Sequence, residues 1–222
     1  ACATAPPPSD TAADAADAGQ RLRTLLSASD EAFLDRNPIY AMYRGDTRRA
    51  ARHGDYVSQA YVDGERAAAE ADLAQLAQIP REQLSPVDRV AHDTFRWSRH
   101  DWRERHAPPA ASIWPMLKLD QMTGWHLFFP DLSSGDGVAP YRTVADYDNG
   151  LSRIEGFVDW LELAVQRMRE GQRTGVVLPR VVAQRVVEQF DRFAAQGLAD
   201  SPYYGPIRKL PPDMAAADRE RL

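Results

Sequence analysis

Residues 143–175, TVADYDNGLSRIEGFVDWLELAVQRMREGQRTG, decide how the rest of the chain is read. Apolar residues fall at Val144, Tyr147, Leu151, Ile154, Val158, Leu161, Val165 and Met168, in alternating steps of three and four. That is a heptad seam along about 37 Å of helix. Thr143 with Asp146 three positions on is a capping-type start, and Gly171 is placed to end the helix. Phe157 and Trp160 widen the apolar face, which favours packing within a bundle over an isolated two-stranded coiled coil. The continuation RTGVVLPRVVAQRVVEQF, residues 173–190, turns the chain at Thr174-Gly175. Pro179 then opens a return helix to about Ala195, with Val182, Val186 and Phe193 on one face.

Upstream the same logic yields more helices. Leu22, Leu25, Leu26, Ser29 and Phe33 share a face in a helix that must end before Pro38. An Arg-rich connection, YRGDTRRAARHGD, leads to an Ala-rich helix from about Ser58 to Ile79, with Val62, Ala69, Leu73 and Leu76 on one side. Ser85-Pro86-Val87-Asp88 is a strong N-terminal signal. The helix it starts runs through Val90, Ala91, Thr94 and Trp97 to about His106 and is stopped by Pro108-Pro109. Residues 110–142 are aromatic, Gly- and Pro-containing and lack a helical period, so they are expected to be irregular, with a short strand at Trp125 to Phe129. The loop GLADSPYYGPIRKLPPDM then leads into DMAAADRERL, a helix start with no stop signal, the pattern expected of a fragment. The fold class is therefore all-α, a multi-helix bundle over residues 18–222 behind an N-terminal tether at 1–17.

With 222 residues the chain can bury a sizeable core, and no stretch reaches the length of a membrane span. A net charge of −5, with arginines alternating with acids, argues against a nucleic-acid partner. The single cysteine, Cys2, excludes an internal disulfide and a multi-cysteine zinc site. It heads the Pro/Ala-rich stretch ACATAPPPSDTAADAADAG, a tether composition, and Ala1-Cys2 has the form of a lipobox end. Cys2 is thus the lipidation candidate; the plain alternative is a stray cysteine near an unstructured terminus.

No motif for catalysis emerges. None of the five histidines is followed by Glu, so an H-E-x-x-H helix is lacking. Asp88-His92 and His100-Glu104 have metal-ligand spacing, but Arg96, Arg99, Arg103 and Arg105 on the same helix would oppose a dication. Solvated ion pairs are the expected use of that surface. His53 beside Gly54 falls in a loop, and His126, in TGWHLFFP, is a cleft candidate set against a satisfied structural histidine. No G-x-S-x-G elbow or phosphate loop occurs, so no catalytic, metal or cofactor residue is assigned.

The order QMTGWHLFFPDL, then the 143–190 helix pair, then SPYYGPIRKLP resembles the N-terminal half of domain-of-unknown-function family 885, over about residues 18–222. That bacterial family, with many secreted or lipid-anchored members, resembles helical zinc peptidases of the gluzincin type. The resemblance implies part of a larger helical fold with a deep cleft. It also implies a zinc motif like H-E-x-x-P-G-H, whose Glu acts as general base on a zinc-bound water. That motif belongs to the C-terminal half, so no role is carried onto any residue here and zinc is expected only with that half. The implied protein is peptidase-like, located in the bacterial periplasm or lipid-anchored. Its partners would be the C-terminal half and a peptide substrate, with membrane contact only through Cys2. The competing reading is a non-enzymatic helical module that binds a partner through the Val144–Met168 face.

Overall fold

The computed structural model describes residues 10–222, with side chains from Ala16 onward; Cys2 lies outside the described residues. Every regular element among them is helical, and no strand occurs. The chain forms two compact units, one comprising residues up to Phe33 with Val62–Ala110, the other Leu34–Tyr61 with Ala111–Leu222.

The first unit is built from α1 (Asp10–Arg36) as far as Phe33, α3 (Gln59–Leu76) from Val62, and α4 (Pro86–Arg105). Helix α2 (Pro38–Tyr43) belongs to the second unit. Helix α1 begins at Asp10, so residues 10–17 are helical and not tether. The DTAADAADAG stretch explains this, because alanine is the best helix former and its aspartates suit a helix start. Leu22 and Leu25 of α1 pack with Leu76, Ile79 and Leu84, and with Ala91 and Phe95 of α4. Ser85 caps α4, its hydroxyl accepting from the Asp88 amide at 3.1 Å. The apolar residues of α4 are divided between its faces. Val87, Val90 and Trp97 are 78%, 66% and 69% exposed, and the helix instead buries His92, with Ala91 and Phe95 packed against the core. Polar partners hold this orientation: Trp102 Nε1 donates to the buried Glu65, and Arg99 approaches Asp72 at 3.7 Å.

The second unit contains α5 (Ala110–Ile113) from Ala111, α6 (Trp125–Ser133), α7 (Val144–Thr174), α8 (Arg180–Ala195), α9 (Gly205–Arg208) and α10 (Ala216–Arg221). The strand expected at Trp125 to Phe129 is helix α6, although Pro130 lies inside it. His126, Phe129, Pro130 and Ser133 are buried, a spacing that suits one helical face and not an alternating strand. Burial of that face outweighs the backbone bond lost at Pro130.

Helix α7 carries both halves of a capping box at Thr143 and Asp146. It runs past Gly171 to Thr174, where Gly175 takes φ 83° and the Val176 amide donates to the Gly171 carbonyl at 2.8 Å. This is a Schellman-type end, with the left-handed residue at Gly175 and Gly171 inside the helix. The heptad seam is only partly covered: Tyr147 is buried and Ile154, Leu161 and Met168 pack against the core, but the most buried face lies beside it. Gly150, Arg153, Phe157, Trp160 and Ala164 are buried, whereas Leu151, Val158 and Val165 are 49%, 48% and 39% exposed. The core of this unit gathers Phe129, Leu132, Phe157 and Trp160 around Tyr56 and Val57.

Candidate functional site: two histidine-lined clefts

The cleft in the second unit is built around His53. The turn before α3 is held by Asp55, which accepts from the amides of Val57 and Ser58 at 3.2 and 2.8 Å. Tyr56 adopts φ 57°, an uncommon conformation for a bulky residue, and stacks on Trp125 at 4.9 Å between ring centres. His53 is only 2% exposed. Its ring meets those of Tyr56, Trp125, Phe129 and Phe157 at 5.2–5.6 Å. Gly156 lets α7 approach closely, since a side-chain carbon there would meet the His53 Cβ at 3.0 Å. A carbonyl only accepts, so His53 Nδ1 carries the hydrogen donated to Gly54 O at 2.8 Å. Burial pushes the imidazole down to about 4, opposed by the Gly54 bond and assisted by Arg153. The ring is therefore neutral at pH 7. His53, Gly54, Asp55, Asp159 and Trp160 line a cleft of about 370 Å³, in which Asp55 already serves the turn.

Arg153 is also buried, and its guanidinium donates to the Ala50 carbonyl and, at 3.3 Å, to Tyr141 Oη. Both acceptors are neutral, and burial lowers its affinity for the proton. It pins the 47–51 turn to α7 and has no place in the His53 cleft.

His126 packs against α8. It is 2% exposed, stacks on Phe190 of α8 at 4.8 Å, and donates from Nε2 to Gln189 Oε1 at 3.0 Å. The Gln189 amide is oriented by its own donation to Gln121 O at 3.0 Å. His126 therefore ties α6 to α8, and it lines neither cavity described here.

The larger cleft, about 660 Å³, lies in the first unit. Its apolar side comes from Leu73, Leu76 and Ala77 of α3 with Ile79 and Pro80. Its polar side is a stripe of α4, His92, Arg96, His100 and Arg103, one turn apart on one face. Arg81 on the rim is held by Asp93 through bonds of 2.7–3.1 Å. The arginine-rich helix was expected to spend its charges in solvated pairs. Arg105 does so with Asp101 at 2.7 Å, but Arg96 makes no ion pair with any described residue.

Neither cleft has a metal donor set: among the described residues no group of three His, Cys, Asp or Glu is placed to hold an ion. No described helix is long and apolar enough to cross a membrane.

An all-α chain with a long capped helix, a tight glycine end and a return helix is the class the fold defines. Residues 38–222 match the family described as "Bacterial protein of unknown function (DUF885)", and the chain belongs to that family. The match starts at Pro38, so the whole of α1 precedes it. No curated protein and no solved structure matches the chain.

Proposed function

We propose that this chain is the N-terminal, non-catalytic portion of a zinc-peptidase-like protein, supplying scaffold and substrate-side surface. The observation that carries this reading is the row Leu151, Val158 and Val165 on α7. Residues seven apart on a helix share one direction, and an apolar row of that regularity suits the packing of further helices. The resemblance supplies what those helices would be: a downstream half bearing a His-Glu zinc motif.

The residues in hand do not fit zinc, because the described side chains offer no donor set. No chemical step is therefore assigned to them. Their part is to hold a rigid wall: the Thr143 box and the Gly175 end fix the length of α7, and the Phe157–Trp160 face anchors it. The lipobox form of Ala1-Cys2 supports anchoring in a bacterial envelope, with membrane contact through that lipid alone. A peptide is the substrate class.

The test is to express the chain with the polypeptide that follows it in the reading frame. Zinc stoichiometry and chelator-sensitive peptide hydrolysis are then measured. One zinc per chain with such activity supports the proposal. An extended chain without a His-Glu helix motif, or with no bound zinc, overturns it. The second outcome would favour a non-enzymatic module that binds a partner through the same α7 row.

A further inference from the structure

The α4 cleft of the first unit has a chemistry of its own, independent of the peptidase reading. Arg96 and Arg103 lie seven residues apart, flanked by His92 and His100, so one helix face aims its basic groups at one cavity. The same crowding of arginines that opposes a dication favours an anion. Among the lining residues Arg81, Arg96 and Arg103 face a single carboxylate, Glu82. Arg81 is committed to Asp93. Arg103 reaches only the adjacent, exposed Glu104 at 2.9 Å, a pair that a better acceptor can displace. Arg96 is free of any ion pair with a described residue. Opposite them lie Leu73, Leu76 and Ile79, the last two buried in the unit's core. A cavity of about 660 Å³ is in the range of small-molecule sites.

We infer that this cleft binds a small amphiphilic anion, its carboxylate or phosphate head on Arg96 and Arg103 and its apolar body against Leu73, Leu76 and Ile79. The arginine fork suits either head, since both present paired oxygens to a planar donor. The histidines widen the donor surface.

Isothermal titration of the chain with octanoate, octyl phosphate and 1-octanol tests the assignment. Saturable one-site binding of at least one of the two anions is expected, with octanol at least about tenfold weaker, because only the anions engage the guanidinium groups. The double variant Arg96→Gln/Arg103→Gln should weaken the anion by about tenfold or more while the helical circular dichroism spectrum is unchanged. Octanol binding as tightly as the anions, full affinity in a folded double variant, or no saturable binding of either anion would each overturn the inference.

Discussion

Trp102 Nε1 donates to Glu65 Oε2 at 2.7 Å, and Glu65 is wholly buried. The bond joins α3 to α4 inside the first unit, and it explains why α4 buries a polar face and leaves Val90 and Trp97 outside. Trp102→Phe keeps an aromatic ring but removes the donor from a buried carboxylate. It should cost about 1–3 kcal/mol in urea unfolding. Trp97→Phe, on the exposed face, should stay within about 0.5 kcal/mol. Equal effects for the two would contradict the assignment of faces.

His53 makes stability depend on pH in a definite direction. Its imidazole titrates at 6.5 ordinarily and at about 4 in the fold, so the unfolded chain binds the extra proton first. Stability from the neutral ring is full above pH 6.5 and is lost as pH falls toward 4. The unfolding free energy should be on the order of 2 kcal/mol lower at pH 5 than at pH 7 from this group. His53→Phe, which cannot titrate, should flatten that portion of the profile. An unchanged slope in the variant counts against a buried neutral histidine.

The two glycines at the end of α7 should respond unequally to alanine. At Gly175 nothing lies within 4 Å of an added carbon, so the cost is the left-handed backbone alone, about 1 kcal/mol. At Gly171 the added carbon meets the Val176 carbonyl oxygen and the Met116 side chain. That clash should cost about 2 kcal/mol or more. Thermal or urea unfolding of the two variants checks the order.

Phe157 and Val158 are neighbours in sequence on different faces of α7. Phe157→Ala empties a stacked position against Phe129, whose ring centre lies 4.1 Å away, and should cost about 3–5 kcal/mol. Val158→Gln should stay within about 0.5 kcal/mol in the same chain. The proposed docking role adds that Leu151→Gln and Val158→Gln together abolish co-purification with a separately expressed downstream segment. Retention of that complex by the double variant would argue against the row as the contact.

What the sequence disclosed was local. The Ser85 and Thr143 starts are legible because a cap is decided within four residues. The end of α7 is less so: Gly171 and Gly175 are equivalent as letters, and the choice depends on the helix packing past Gly171. The aromatic stretch at Trp125 lacks a helical period as letters, and its helix is decided by the cover over His126, Phe129 and Ser133, which comes from elsewhere in the chain. The same reason hides both clefts. His53 is enclosed by residues of α6 and α7, and the basic stripe of α4 becomes a site only against the end of α3. Its spacing was visible, but not the wall opposite.

The first unit is assembled from two stretches of polypeptide separated by Leu34–Tyr61, which belong to the other unit. No single cut in the chain releases either one whole. A gene truncated at Ala110 carries the first unit together with a stranded piece of its neighbour's core, Ile39, Met42 and Val57. During synthesis those residues emerge before the helices that cover them. The aromatic cage around His53 cannot close until translation has passed Trp160.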